Sequence, residues 1–407
     1  MRHDDLIHDW NGSAPIAGPV ELFDETLRDG LQSPSVVDPP IDDKLEILRL
    51  MDRLGVSGAN VGLPGAGRRA AEDVIKIVEK IRDERLRIKP ACAARTVVKD
   101  IEPIVEAQHK TGVQIEAYAF IGSSPIRFFA EDWTLERVTK HVDEAVRFAT
   151  TNGLKVCLVT EDTTRSSPEI LRPIFETALA AGASALCLCD TVGHATPEGV
   201  RALLGWAQAQ LRQLGREDVR LDWHGHNDRG LGVANALVAA AAGAQRIHGS
   251  ALGVGERVGN ASMDQIIANL WLLGVHGRDV SALAEYCAKS ARALGVAIPP
   301  NHPVVGRDAF RTGTGVHAAA IIKALKKGDR WLADRVYSAV PATQFGREQE
   351  IQVGYMSGLS NIAFWFEAKG VAFDEKLASR IFERAKASDH MLSDDEIWSI
   401  VREGSRL

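Results

Sequence analysis

The stretch Glu21-Leu-Phe-Asp-Glu-Thr-Leu-Arg-Asp-Gly-Leu-Gln32 opens as a short apolar strand around Val20, Leu22 and Phe23. It then runs straight into a cation, an anion, a glycine and an amide at Arg28, Asp29, Gly30 and Gln32. A turn with Pro34, Pro39 and Pro40 follows. Residues 42–54 carry Leu45, Leu48 and Met51 at helical spacing, with Leu50 and Leu54 alongside, and Gly55 closes them as a helix C-cap glycine would. The unit is strand, loop, helix. Its polar loop at the strand's carboxyl end suits an anionic ligand. For an Arg-Asp-Gly taken alone, a surface turn with a salt bridge is the plainer reading.

The pattern repeats seven times. Strand-like runs at 58–61, 88–94, 114–121, 155–160, 185–189, 219–223 and 245–249 are each followed by a helical pattern. Strict alternation implies parallel pairing, and eight such units match a (β/α)8 barrel, the TIM-barrel arrangement. The competing α/β fold, an open doubly wound sheet, usually carries Gly-x-Gly-x-x-Gly after its first strand, and Arg28-Asp-Gly-Leu-Gln32 is not that. Beyond Gly277 the rhythm changes to helices interrupted at Pro299-Pro-Asn-His-Pro303. The expected organisation is a loose arm over 1–18, a barrel over 19–277 and a smaller helical C-terminal subdomain over 278–407.

Composition narrows the function. The 407 residues are 45% hydrophobic and 25% charged, with a net charge of −6 and no basic block. That excludes nucleic acid and anionic membrane as expected partners. The N-terminus lacks the apolar run of a secretory signal, and no stretch has the length of a membrane helix, so a cytoplasmic protein is expected. Cys92, Cys157, Cys187, Cys189 and Cys287 are odd in number and form no Cys-x-x-Cys, which fits reduced core thiols.

Barrel active sites lie at the carboxyl ends of the strands. Polar residues at those ends are Arg28, Asp29 and Gln32 on strand one, Glu161 and Asp162 on strand five, and Asp190 and Thr191 on strand six. Strand seven gives His224, His226, Asn227 and Asp228, and the loop after strand eight gives Glu256, Arg257 and Asn260. In an extended backbone His224 and His226 point the same way, with Gly225 expected to leave room between the rings. Two imidazoles and a carboxylate suit Zn²⁺, Mn²⁺ or Co²⁺, with Mg²⁺ open. Two histidines satisfied by core hydrogen bonds are the other reading of His-x-His.

Three motifs together carry a resemblance. Leu27-Arg-Asp-Gly-Leu-Gln32, His224-Gly-His-Asn-Asp228 and Gly253-Val-Gly-Glu-Arg-Val-Gly-Asn260 resemble the signatures of the metal-dependent acyl-CoA condensing barrels. These are the 2-isopropylmalate, homocitrate and citramalate synthases, with 3-hydroxy-3-methylglutaryl-CoA lyase as a cousin. The resemblance implies Claisen condensation of acetyl-CoA with a 2-oxo acid, followed by thioester hydrolysis to a 2-hydroxy-2-alkyl dicarboxylate. It implies a divalent cation on Asp29, His224 and His226, with Asn260 as a fourth, variable contact. It makes Arg28 the residue that polarises the carbonyl, Gln32 a pocket neighbour, Glu161 an acid/base group and Thr191 the holder of the 2-oxo acid carboxylate. It makes His317 a catalytic histidine with Tyr337 beside it, both reaching the partner's active site in a homodimer.

Two departures bear on the acceptor and the architecture. Asn60 stands on strand two where these synthases commonly place an acid, so it is carried as a substrate-binding candidate in an altered pocket. The long C-terminal leucine-sensing domain of typical isopropylmalate synthases has no counterpart, which leans toward the shorter homocitrate synthase architecture or toward an unregulated or specialised alkylmalate synthase. Two alternatives stand beside the synthase: a lyase cleaving a hydroxyacyl-CoA, and a non-catalytic metabolite-binding barrel. The lyases carry a cysteine in the loop after strand eight, and residues 252–260 contain none.

Overall fold

The computed structural model of the protein describes residues 3–11, 16 and 18–404. The rest of the expected arm, at 1–2, 12–15 and 17, lies outside the described residues; His3–Leu6 forms one 3-10 turn. Residues 13–298 form one compact unit, and residues 299–407 with 1–12 form another.

The first unit is a closed barrel of eight parallel strands, in the order of the sequence. The strands are β1 (Glu21–Asp24), β2 (Gly58–Asn60), β3 (Lys89–Arg95), β4 (Glu116–Gly122), β5 (Lys155–Glu161), β6 (Ala185–Asp190), β7 (Arg220–Gly225) and β8 (Arg246–Gly249). Closure comes from β1 pairing with both β2 and β8, with Phe23 opposite His248. The connecting helices are α1 (Ile41–Arg53), α2 (Arg68–Asp83), α3 (Val98–Thr111), α4 (Pro125–Glu131), α5 (Leu135–Thr151), α6 (Pro168–Ala180), α7 (Pro197–Gln213), α8 (Gly232–Ala241) and α9 (Met263–Leu272). The seven-residue α4 is an addition to the pattern read from the sequence, too short to show a helical period.

The break between units falls at 298/299, later than the 277 read from the sequence. The cause is α10 (Leu283–Leu294), which packs on α1. Its Tyr286 hydroxyl donates to the buried carboxylate of Asp24 at the end of β1.

Alternation along the strands divides the barrel lining from the helix-facing layer. Phe23, Ala91, Tyr118, Cys157, Ala185, Cys187 and Cys189 form one buried interior cluster. Below it the lining is charged. Arg246 donates to Glu21 Oε2 (2.9 Å), to Glu116 Oε2 (2.8 Å) and to the Tyr118 hydroxyl (2.8 Å). Arg220 donates to Asp222 (2.6 Å) and Glu116 (2.8 Å), and Tyr118 donates to Asp222 (2.6 Å). Buried charges are tolerated when each is paired and hydrogen-bonded. Here each of these carboxylates faces a guanidinium.

The second unit is mainly helical, with α11 (Gly315–Lys326), α12 (Arg330–Arg335), α13 (Leu359–Ala368), α14 (Glu375–Lys386) and α15 (Asp394–Gly404). Ile362, Trp365, Phe366, Ile381 and Ile397 make its core. A two-stranded parallel ribbon, β9 (Arg311–Thr312) with β10 (Glu350–Ile351), is added to the helices expected from the sequence.

Candidate active site

The turn after β1 is held by its own backbone. The Glu25 amide donates to Gly249 O (2.8 Å), and the Arg28 and Gly30 amides both donate to Glu25 O (3.1 and 2.9 Å). This tight turn aims Arg28 and Asp29 at the barrel mouth. Gly30 gives close approach, since a Cβ there would meet Val254 Cγ2 of the β8 loop at 3.0 Å, a tight contact.

His224 and His226 project from β7 into the interior, both buried. Their Nε2 atoms are 3.2 Å apart. Asp29 Oδ2 lies 3.2 Å from His224 Nε2 and 3.7 Å from His226 Nε2. The side chain that Gly225 lacks would face the Trp223 indole, with Nε1 at 3.0 Å, and not the gap between the imidazoles. Strand alternation puts the glycine on the opposite face, which corrects the role expected for it.

The loop after β8 folds back to bring Asn260 beside His226, with which it forms an antiparallel bridge. The fold-back depends on Gly259, whose φ is +89° and whose Cβ, if present, would fall 1.8 Å from Gly253 O. Arg257 stitches the loops together, donating to Asp228 (2.8 Å) and to the Thr191 carbonyl (2.6 Å).

A divalent cation fits these donors. Asp29 Oδ1 and Asn260 Oδ1 are buried without a hydrogen-bond partner, although buried polar atoms are normally paired. Two imidazole nitrogens and a carboxylate oxygen converge, each within 4.8 Å of the others. Burial opposes ionisation of Asp29, but Arg28 and the two imidazoles outweigh it and hold its carboxyl well below the usual carboxylate range. Burial, with the neighbouring His224, pushes His226 down to about 4. An ionised carboxylate and a neutral imidazole are the protonation states that ligands require.

A cavity of about 180 Å³ opens over this group. Seven residues to which the resemblance gave a role line it: Arg28, Asp29, Gln32, Glu161, Thr191, His224 and His226. Arg28 reaches Gln32 Oε1 weakly, at 3.4 Å. Burial pushes the Glu161 carboxyl up, against the pull of Arg127 and Arg28. Directly after it, Asp162 takes a left-handed backbone (φ 61°) and holds Arg165 through two hydrogen bonds of 2.8 and 2.7 Å. Thr191 Oγ1 accepts the Asp162 amide at 2.8 Å, which leaves its own hydroxyl hydrogen to donate elsewhere.

Four candidates lie apart from the lining. Asn260 stands beside His226 but is not part of the cavity wall. Asn60 is fully buried and both polar atoms of its amide lack partners, but it is not part of the cavity wall. His317 and Tyr337 belong to the second unit, where their exposed rings stack at a centroid distance of 4.0 Å.

Glu25, His248 and Glu256 also line the cavity. Glu25 and His248 are functional candidates that the sequence reading passed over. Glu25 accepts from Arg28 Nε at 3.0 Å and pairs with Arg28 through a second nitrogen at 2.8 Å. His248 stands between two carboxylates. Its Nδ1 lies 3.2 Å from Glu25 Oε1, close but without hydrogen-bond geometry, and its Nε2 meets Asp222 Oδ2 at 3.4 Å. Burial would lower the His248 pKa, yet the two carboxylates raise it. The available signal was parity: Glu25 shares the inward face of Phe23, and His248 that of Arg246. Glu25, His224 and His248 form a second buried group with converging donor atoms.

Comparison with known proteins gives a consistent picture. Residues 19–287 match the model of the HMGL-like family. The chain is 32% identical over 391 residues to a homocitrate synthase of Methanopyrus kandleri, covering 94% of this chain and 92% of that protein. It is 31% identical over 398 residues to a 2-isopropylmalate synthase of Pyrococcus furiosus, covering 95% and 76%. It is also 31% identical over 398 residues to an (R)-citramalate synthase of Methanocaldococcus jannaschii, covering 94% and 74%. Among solved structures, an HMG-CoA lyase of Bacillus subtilis superposes with a TM-score of 0.58 at 21% identity, over 70% of this chain and 97% of that one. That likeness speaks for the fold alone.

Proposed function

The chain belongs to the HMGL-like family, and on that premise we propose the chemistry its site performs. It is an acyltransferase that condenses acetyl-CoA with a 2-oxo acid. Hydrolysis of the thioester then releases coenzyme A and leaves a 2-hydroxy-2-alkyl dicarboxylate.

Asp29, His224 and His226 would hold a divalent cation (Zn²⁺, Mn²⁺, Co²⁺ or Mg²⁺), with Asn260 beside it. Bound there, the cation supplies Lewis-acid polarisation of the acceptor carbonyl. Arg28 places a guanidinium, pinned by Glu25 and 3.5 Å from Asp29, where negative charge develops on the carbonyl oxygen. The free hydroxyl hydrogen of Thr191 is available to the acceptor's carboxylate, and Gln32 borders the same space. Glu161, its carboxyl raised by burial, is suited to take a proton from the acetyl methyl group. His317, with Tyr337 against its ring, is the other candidate base. Both belong to the second unit and, in a homodimer of the kind the resemblance implies, would serve the partner's barrel.

One observation carries the reading: Arg28, Asp29, His224 and His226 border a single cavity. The lyase alternative has no comparable support, since residues 250–262 contain no cysteine. The test is release of coenzyme A thiol from acetyl-CoA with a panel of 2-oxo acids, before and after chelation and metal return. Thiol release is expected with at least one acceptor, lost on chelation and restored by a divalent cation. Silence across the panel with metal supplied overturns the reading.

A further inference from the structure

The relatives' names span acceptors with and without a second carboxylate, and the cavity discriminates between them. Resting on the condensation reading above, we infer that the acceptor is a 2-oxo acid with an apolar side chain and no distal carboxylate.

The inference starts from where the acceptor must lie. Its reacting end is fixed by Arg28 on the β1 turn, His224 and His226 on β7, and Thr191 after β6. Its side chain therefore extends toward the opposite arc of the barrel, β3 to β5. The inward residues of that arc which line the cavity are Ala93, Tyr118, Phe120 and Val159, with Glu161 above them. Tyr118 offers no free hydroxyl, being tied to Asp222 at 2.6 Å and Arg246 at 2.8 Å. The wall beneath Glu161 is thus apolar.

No free cation faces that wall: His248, on the lining with its ring 5.6 Å from that of Tyr118, already stands between Glu25 and Asp222. Arg95 continues the alternation of Ala91 and Ala93 at the top of β3, but it turns outward and is clamped by Asp100 at 2.6 and 2.9 Å. Arg127 lines the adjoining cavities and pairs with Glu131 at 3.2 Å. The one guanidinium lining the cavity is Arg28, already engaged by Glu25 and Asp29. The other charged side chains on the lining toward the mouth are Glu161 and Glu256. A second carboxylate on the acceptor would be buried against apolar carbon, or would meet these two acids. An unpaired buried carboxylate is among the costliest groups to desolvate. An alkyl chain gains from the same wall.

The test compares kcat/KM for coenzyme A release with 2-oxobutanoate, 2-oxoisovalerate, 2-oxo-4-methylpentanoate and 2-oxoglutarate. The best monocarboxylic acceptor is expected to exceed 2-oxoglutarate by more than about tenfold, with about 100-fold typical of a lost charge partner. A smaller preference, or a reversed one, overturns the inference while leaving the condensation reading intact. Release with none of the four, and none with pyruvate, overturns both. A second measurement places the side chain. Ala93→Leu should lower kcat/KM for 2-oxo-4-methylpentanoate more than for 2-oxobutanoate. Because the ratio is read within one preparation, partial loss of folded enzyme cancels. An equal loss for both acceptors overturns the placement against this wall.

Discussion

Arg28 owes its position to two residues that do not themselves reach the expected reacting atoms. Glu25 grips the guanidinium, and His248 backs Glu25 from the strand opposite Phe23. Removing the charge of Glu25 frees Arg28 to swing toward Asp29 or solvent. Glu25→Gln is therefore expected to lower kcat by about 10–100-fold, the usual cost of losing a supporting partner, with little change in the KM for acetyl-CoA. Glu25→Asp should restore part of the rate. A fall in KM-dependent binding with kcat preserved would contradict this positioning role. The reason these two residues escaped the sequence reading is physical. Arg28, Asp29, His224 and His226 stand out as polar groups at strand ends, but Glu25 and His248 sit where interior packing is expected. Parity puts both on the inward face, but it does not distinguish them from packing residues; the contact of His248 with Glu25, distant in sequence, does.

Among elements, the tie between β1 and α10 explains why the barrel unit extends past the eighth strand–helix repeat. Asp24 accepts the Tyr286 hydroxyl and, at 2.8 Å, the Thr26 amide, deep in the interior. Burial pushes its carboxyl up to about 6 despite these hydrogen bonds. A carboxyl raised in the folded state contributes stability that is complete below its unfolded value near 3.8 and is lost as pH rises through about 6. Asp24→Asn keeps an acceptor without the charge. The stability difference between variant and wild type, from urea unfolding, should move by about 2 kcal/mol in the variant's favour between pH 4 and pH 7.5. A difference independent of pH would show that Asp24 ionises without cost. The eight strands were legible because each parallel strand is buried on both faces and bracketed by a helix with one apolar stripe. The assignment of α10 was not, since its place is decided by packing on α1 and by Tyr286 meeting Asp24, contacts between residues more than 200 positions apart. The ribbon β9–β10 has two residues per strand, too few for any period.

At the scale of the whole molecule, the second unit bears His317 and Tyr337 as an exposed ring pair. If these residues serve a partner's barrel, two inactive chains should repair each other. Arg28→Ala and His317→Ala are each expected to be inactive alone. Co-expressed, they should form mixed dimers with one complete site, giving about a quarter of wild-type activity for random pairing in a twofold assembly. Absence of recovery, with mixed dimers verified by distinguishable tags, would place His317 in service of its own chain or outside the chemistry. Among the described residues, no helix is long and apolar enough to cross a membrane.

The charged column inside the barrel also constrains how this chain can be cut and inherited. Below Arg28, the first four strands and the β1 turn contribute Glu21, Glu25 and Glu116, while the last four contribute Arg220, Arg246 and His248, with Asp222 between them. Glu21 and Glu116 of the first half meet Arg246 of the second, and Glu116 also meets Arg220, so either half-barrel made alone loses these buried partners. A gene split after residue 151 should therefore yield two fragments that stay soluble only when made together. Recombination with a relative should succeed only where both halves descend from the same lineage or exchange these residues as a set.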